Sequence, residues 1–122
     1  MANQVLGKYG ESLAREYLQK LGFKILEQNF RTRLGEIDLI AKDGQTVCFI
    51  EVKMRVSLKQ GEPYEAITVS KIRKLSQMAM IYLKFKYHTL EILSRFDVIS
   101  IVQGENQKPE IQHIKNAFDS LL

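Results

Sequence analysis

Two short stretches, Gly35-Glu36-Ile37-Asp38-Leu39-Ile40 and Phe49-Ile50-Glu51-Val52-Lys53, decide how this 122-residue chain folds. Both are rich in apolar and β-branched residues and are bounded by polar ones, which is typical of β-strands. Lys42-Asp43-Gly44-Gln45 lies between them, and an Asp-Gly pair is a strong signal for a tight turn between paired strands. The sequence therefore predicts a β-hairpin with strands at 36–41 and 46–53.

Ionisable side chains interrupt the apolar pattern of this hairpin. A symmetric turn about residues 43–44 pairs Asp38 with Phe49, and side chains alternate between the two faces of a strand. Asp38, Glu51 and Lys53 are then predicted to share one face, with Asp38 and Glu51 as diagonal neighbours about 7–8 Å apart. A slip of one residue would separate Asp38 from Glu51. The opposite face is predicted to carry an unbroken apolar set: Ile37, Leu39, Ala41, Cys48, Ile50 and Val52.

Charged groups inside an apolar sheet are unfavourable unless they are paired or bind a metal ion. Two carboxylates offer the oxygen ligands that Mg²⁺ and Mn²⁺ prefer, whereas one cysteine and two distant histidines cannot form a zinc site. A divalent ion would activate water against a phosphodiester, and Lys53 could stabilise the developing charge. The alternative is an ordinary surface pair of Glu51 with Lys53. Glu36 is a further ligand, a base, or only the polar end of a strand.

The composition is that of an ordinary globular protein, with 45% hydrophobic and 26% charged residues. The length suits a single domain over residues 1–122. No apolar run approaches the ~20 residues of a membrane span, and the N-terminus lacks a signal-peptide pattern, so we expect a cytoplasmic protein with no membrane partner. Cys48 is the only cysteine, which excludes a disulfide within the chain. The net charge of +4 permits a nucleic-acid partner without requiring one.

Two helices are predicted from apolar residues that recur at three- and four-residue steps. The first covers residues 5–21, and its stripe comprises Leu6, Tyr9, Leu13, Tyr17 and Leu21. Glu11 lies off that stripe and either pairs with Arg15 or points at a site on the sheet. The second covers residues 68–86 with Thr68 or Ser70 as its N-cap. Its buried stripe comprises Val69, Ile72, Leu75, Ala79, Tyr82 and Leu83.

Further strands are predicted at residues 23–30 and 95–102. A short strand at 111–114 and a helical turn near 117–121 complete the chain. The order of these elements predicts a mixed sheet flanked by helices, which is an α/β fold.

Basic side chains near the hairpin could contact a phosphate backbone, since arginine binds phosphate in a bidentate manner. Arg31 and Arg33 lie in a predicted connection before the carboxylate strand. Arg55 and Lys59 lie in a predicted loop at 54–65, and Arg73 lies on the polar side of the second helix. The alternative for each of these residues is an ordinary place on a solvated surface.

These residues resemble a known group of nucleases. Asp38 followed by Glu51-Val52-Lys53 resembles the core signature of the PD-(D/E)xK nuclease superfamily, whose members share the restriction-endonuclease-like α/β fold. The two hairpin stretches and the later Arg95-Phe96-Asp97-Val98 are similar to the YraN-like family of bacterial proteins, as are Gly10-Glu11 and Asn29-Phe30-Arg31. That family is similar in turn to archaeal Holliday-junction resolvases. These carry a glutamate on the first helix, and Glu11 matches it.

The resemblance implies a site and a function. Asp38, Glu51 and the Val52 carbonyl would bind Mg²⁺ or Mn²⁺, Lys53 would be the catalytic lysine, and Glu11 would be an accessory acid. The superfamily's proline before the aspartate is replaced by isoleucine here. The implied activity is hydrolysis of DNA rather than RNA, including branched DNA, and cutting a junction on two strands implies a homodimer. The alternatives are a non-catalytic nucleic-acid-binding module and a structural protein whose hairpin charges form a salt bridge.

Overall fold

In the described part of the chain, five strands form one sheet that lies between two helices. The computed structural model describes residues 3–56, 67–104 and 108–122. Within these ranges the elements are α1 (Asn3–Lys20), β1 (Lys24–Thr32), β2 (Gly35–Asp43), β3 (Thr46–Arg55), α2 (Val69–Tyr87), β4 (Ser94–Val102) and β5 (Glu110–Phe118). The strand order is β1-β2-β3-β4-β5, with β3 and β4 parallel and the other neighbours antiparallel. This is the predicted α/β fold with a restriction-endonuclease-like arrangement.

Each face of the sheet has its own apolar core. The core under α1 comprises Ala14, Leu18, Phe23, Leu39, Ala41, Cys48, Ile50, Ile99 and Ile101. The core under α2 comprises Ile37, Ile40, Val47, Phe49, Leu75, Met78, Ala79, Tyr82, Leu83 and Phe96. Since both faces are covered, the central strands are apolar almost throughout rather than alternating. The charged groups of the hairpin therefore lie at the end of a doubly buried sheet.

The buried stripe of α1 differs from the predicted one. Tyr9 and Leu21 are 38% and 55% exposed. The residues that face the sheet are spaced four apart: Gly10, Ala14 and Leu18. A Cβ atom at Gly10 would lie 3.1 Å from the Met54 Cβ atom, so the helix approaches β3 where it has no side chain. This close approach carries Glu11, the next residue, towards the sheet.

Replacing Gly10 by valine should destabilise the fold. The added side chain would displace Met54, and overpacking of this kind costs about 1–3 kcal/mol. Gly7 in the same helix is the matched control, because a Cβ atom there meets nothing within 4 Å. We expect Gly7→Ala to gain about 0.5–1 kcal/mol from helix propensity alone. Urea unfolding measures both effects, and a Gly10→Val variant as stable as the wild type would contradict the close contact.

Helix α2 begins where the sequence predicted. Thr68 is its N-cap, and its Oγ1 atom accepts a hydrogen bond from the Lys71 backbone N–H at 3.1 Å. Val69 is 63% exposed rather than buried, because the buried residues of the helix start only at Leu75.

Of the helices in the described ranges, none is both long and apolar enough to cross a membrane.

The C-terminal segment differs from its prediction. The predicted helical turn at 117–121 is absent from the described structure, because β5 continues to Phe118, which pairs with Phe96 of β4. The register shifts near this end, and Asn116 takes a φ of 51° there. A bulge of this kind lets a strand stay paired past an irregular residue.

Candidate active site

The hairpin of β2 and β3 brings Asp38 and Glu51 together. Its two-residue turn is Gly44-Gln45, one residue later than predicted. Gly44 has a φ of 60°, which the first central position of such a turn requires. Leu39 pairs with Ile50, so the same register places Asp38 directly opposite Glu51. The predicted diagonal arrangement was wrong.

The two strands separate at the level of this pair. Hydrogen-bonded pairing of β2 with β3 ends at Leu39 and Ile50, although both strands continue. The Asp38 Oδ2 atom instead accepts a hydrogen bond from the Val52 backbone N–H at 2.8 Å. The N–H and C=O groups of one strand residue point to the same side, so the Val52 carbonyl also faces this opening. We call it the β2–β3 gap.

The alternation of faces along β2 breaks at Asp38. Ile37 lies in the core under α2, whereas Leu39 lies in the core under α1. The prediction that these two residues share a face was therefore wrong. Asn29 of β1 has a φ of 54° and lies level with Asp38. This break in the alternation places the Asp38 carboxylate in the gap, where it accepts the hydrogen bond from the Val52 N–H.

Glu51 is the buried charge at the gap. Its side chain is 5% exposed, and its Oε1 atom lies 3.7 Å from Lys53 Nζ and 3.8 Å from Lys71 Nζ. Its Oε2 atom is buried and has no hydrogen-bond partner within the described residues. Burial raises the pKa of Glu51, and the ammonium groups of Lys71 and Lys53 oppose that rise. A buried carboxylate oxygen without a partner is unfavourable unless it serves as a ligand.

Lys71 was not among the residues predicted for the site. It lies in the first turn of α2, the helix that connects the parallel strands β3 and β4. The N-terminus of such a helix follows the C-terminal end of the preceding strand, which is where Glu51 lies. The Thr68 cap combined with this topology is the signal that could have indicated Lys71.

Asp38 is surrounded by other acids. Glu11 of α1, Glu36 of β2 and Asp38 each place a carboxylate oxygen within 4.8 Å of the others, and the charge of Glu51 also acts on Asp38. Burial, the charge of Glu51 and the smaller effects of Glu11 and Glu36 together raise the pKa of Asp38 to about 8, against the effect of the Val52 N–H. Four carboxyl groups thus meet where β2 and β3 separate, and they repel one another unless a cation joins them.

Glu11 points towards the gap rather than along its own helix. Its Oε1 atom accepts a hydrogen bond from Asn29 Nδ2 at 2.8 Å. Arg15, the other predicted partner, donates instead to Gln28 Oε1 at 3.0 Å. Of the two interpretations of Glu11, the geometry therefore supports the carboxylate aimed at the sheet.

A polar cleft of about 470 Å³ opens beside the acids. It lies between α1 and the end of β3, and its lining comprises Leu6, Gly7, Glu11, Val52, Lys53, Met54 and Arg55. Arg55, predicted in a loop, is the last residue of β3. A second cavity of about 450 Å³ lies between α2 and β5, is lined mostly by apolar residues and contains none of the predicted site residues.

The other predicted nucleic-acid-binding residues lie at different distances from the gap. Arg31 belongs to β1 rather than to a connection, and its Nε atom contacts Glu36 Oε2 at 2.9 Å. Arg33 lies exposed in the turn between β1 and β2. Arg73 is exposed on α2 and does not line the cleft. Lys59 lies outside the described residues.

Comparison with known proteins identifies the family. The model of "Uncharacterised protein family UPF0102" matches residues 10–101, a range that contains all four acids of the gap and both lysines. The chain belongs to the UPF0102 family. This is the YraN-like family that the sequence motifs predicted.

Individual UPF0102 proteins align over nearly their whole lengths. The protein of Geobacter metallireducens is 50% identical over 117 residues, covering 96% of this chain and 94% of the relative. That of Syntrophomonas wolfei is 47% identical over 116 residues, covering 95% and 99%. That of Caldicellulosiruptor saccharolyticus is 44% identical over 119 residues, covering 97% and 100%.

Proposed function

We propose that this UPF0102 protein is a metal-dependent nuclease of the PD-(D/E)xK superfamily that hydrolyses DNA phosphodiester bonds. The proposal is carried by the meeting of Asp38, Glu51 and Lys53 where β2 and β3 separate. The Glu51 Oε2 atom, which has no hydrogen-bond partner within the described residues, and the raised pKa of Asp38 both fit a site for a divalent cation. A hairpin that only formed a salt bridge would account for neither.

The donor atoms at the gap suit Mg²⁺ or Mn²⁺. These ions prefer oxygen ligands and need few of them from the protein, because they retain several waters. Asp38, Glu51 and the Val52 carbonyl would hold the ion, with Glu11 beside them. Once bound, the ion would polarise the phosphodiester and lower the pKa of a coordinated water.

The two lysines take different parts in this scheme. Lys53 lines the polar cleft together with Glu11, which is where a phosphate could approach the acids. It is placed to orient the attacking water and to stabilise negative charge that develops on the phosphoryl group. Lys71 reaches Glu51 from α2 and favours the ionised form of that carboxylate, the form that a metal ligand requires.

DNA, including branched DNA, is the substrate we propose. Arg55 lines the cleft, and Arg31 forms an ion pair with Glu36, one of the acids at the gap. The chain carries a net charge of +4. Basic groups around a cleft bind the phosphate backbone in a salt-dependent way. Resolution of a four-way junction requires two cuts, so activity on junctions would also require a homodimer.

A cleavage assay tests the proposal. The protein is incubated with linear, single-stranded, flapped and four-way-junction DNA in Mg²⁺, Mn²⁺ or EDTA. We expect cleavage only with metal, and a loss of about 10²–10³-fold in Lys53→Met, the size seen when one charge-stabilising donor is removed. Lys86→Met is the matched control, because Lys86 is exposed in the last turn of α2. Salt-sensitive binding without cleavage would replace the nuclease by a non-catalytic binding module, and neither binding nor cleavage would refute both.

A further inference from the structure

Asn29 occupies an irregular position in β1. Its φ of 54° lies in the left-handed region, which non-glycine residues seldom adopt, although asparagine tolerates it better than most. The pairing of β1 with β2 keeps the same register on both sides of this residue, which places it level with Asp38. Backbone strain of this kind persists only where the surrounding contacts hold it.

The hydrogen bonds of the Asn29 side-chain amide stabilise this backbone conformation. Its Nδ2 atom donates to Glu11 Oε1 and to Glu36 Oε1, both at 2.8 Å. Ionised carboxylates only accept hydrogen bonds, so they require the NH₂ group of the amide at this position. Arg31 Nε donates to the second oxygen of Glu36 at 2.9 Å. Both oxygens of Glu36 are thus engaged within the protein, whereas Asn29 contacts only one oxygen of Glu11.

Glu11 and Glu36 therefore differ in what they can offer a cation. Glu36 is occupied by Asn29 and Arg31 and acts as an anchor for the amide. Glu11 reaches the gap from helix α1, and the same Asn29 Nδ2 atom donates to it. Its carboxylate, that of Glu36 and that of Asp38 lie within 4.8 Å of one another, where their charges repel. Two hydrogen bonds from one amide oppose that repulsion and keep Glu11 beside Asp38.

We propose that Asn29 is a positioning residue, anchored by Glu36, that holds the Glu11 carboxylate against Asp38 in the arrangement that receives the metal ion. The inference rests on the proposed function, and Asn29 acts through the carboxylates rather than on the substrate. Groups that orient metal ligands typically account for about 10–100-fold in metal affinity.

Glycine substitution separates this role from a purely conformational one. Asn29→Gly removes the amide and keeps the backbone, because glycine adopts a positive φ without strain. Asn116→Gly is the matched control: Asn116 has a φ of 51°, is exposed and lies on β5, at the opposite edge of the sheet. If Asn29 only supplied its positive φ, both variants would behave alike.

The measurement is a calorimetric titration of the metal-free protein with Mn²⁺, accompanied by thermal unfolding. We expect Asn29→Gly to bind Mn²⁺ at least about 10-fold more weakly than the wild type, and Asn116→Gly to bind it equally well, with cooperative unfolding in both. Equal affinity in Asn29→Gly and the wild type would overturn the positioning role and leave the nuclease proposal standing. A wild type that binds no Mn²⁺ would overturn both.

A second variant tests whether Asn29 acts on metal binding through Glu11. This test does not depend on the stability of Asn29→Gly. Glu11→Gln keeps the size of the side chain and should weaken Mn²⁺ binding by a factor similar to that of Asn29→Gly. In the double variant the two losses should not add, because both remove the same oriented carboxylate. Unchanged affinity in Glu11→Gln, or fully additive losses, would overturn the inference.

Discussion

Replacing Asp38 by asparagine should abolish DNA cleavage and at the same time stabilise the metal-free protein. The substitution removes a metal-binding carboxylate, and we expect cleavage to fall by at least about 10³-fold, equivalent to about 4 kcal/mol of transition-state stabilisation. At high pH it also removes one charge from a group of acids that includes Glu11, Glu36 and Glu51. The asparagine carbonyl can still accept the hydrogen bond from the Val52 N–H, so the fold loses little.

The gain in stability should depend on pH. Burial and the charge of Glu51 raise the pKa of Asp38 from 3.8 to about 8. Between these two values the folded state holds a proton that the unfolded chain has released, so the stability of the wild type falls as pH rises through this range. Asparagine does not titrate. The advantage of Asp38→Asn therefore grows from about pH 4 and is largest above about pH 8.

Thermal unfolding in EDTA at about pH 5 and about pH 8.5 samples the lower part and the upper end of this range. We expect the free energy of unfolding of Asp38→Asn to exceed that of the wild type by about 1–2 kcal/mol at the higher pH and by less at the lower pH. Addition of Mn²⁺ should reverse the order, because a ligand at about 100 times its Kd stabilises by about 2.7 kcal/mol and the variant lacks a ligand group. Asp119→Asn, at an exposed position, is the control and should show neither effect. A variant less stable than the wild type at high pH without metal would mean that the protein itself satisfies the Asp38 carboxylate.

The motif at the centre of this site could be found from sequence because it depends on local rules. Apolar runs and an Asp-Gly turn signal were sufficient to predict strands β2 and β3. A capping threonine was sufficient to predict the start of α2. The register was missed by one residue because it depends on a contact elsewhere in the chain. Asp43 stays in the strand, where its carboxylate pairs with Arg95 of β4 at 3.0 Å, and the turn moves on to Gly44.

The rest of the site depends on tertiary structure that a local pattern does not contain. Glu11 reaches the gap because Gly10 lets α1 approach Met54 closely. Lys71 reaches Glu51 because α2 crosses between two parallel strands. In the sequence Asn29 is an ordinary polar residue of a strand, and only its φ of 54° and its two carboxylate partners distinguish it.

A second buried acid, Asp97 of β4, should respond in the opposite way to Asp38. It is 0% exposed, and both of its oxygens have partners. Oδ1 accepts from Arg95 Nε at 2.9 Å and from the Asn116 N–H at 3.0 Å, and Oδ2 lies 2.8 Å from His113 Nε2. Burial alone would raise the pKa of Asp97, but the hydrogen bonds from His113, Arg95 and Asn116 outweigh it and lower the pKa. The folded state therefore holds this carboxylate ionised, and the stability that it supplies is lost only as pH falls below about 4.

Asp97→Asn should destabilise the protein by about 3–5 kcal/mol at neutral pH, because it leaves His113 without its anionic partner and Arg95 with Asp43 alone. Urea unfolding should show this loss shrinking as the pH falls below about 4, and Mn²⁺ should not restore it. Asp38 and Asp97 thus have opposite expected signs, although both are aspartates in apolar strands of one sheet. An acid whose partners all lie within the fold stabilises that fold, whereas an acid surrounded by acids requires a cation from outside. A loss of stability in both variants without metal would mean that the hairpin charges are internal salt-bridge partners, as the structural alternative to a nuclease requires.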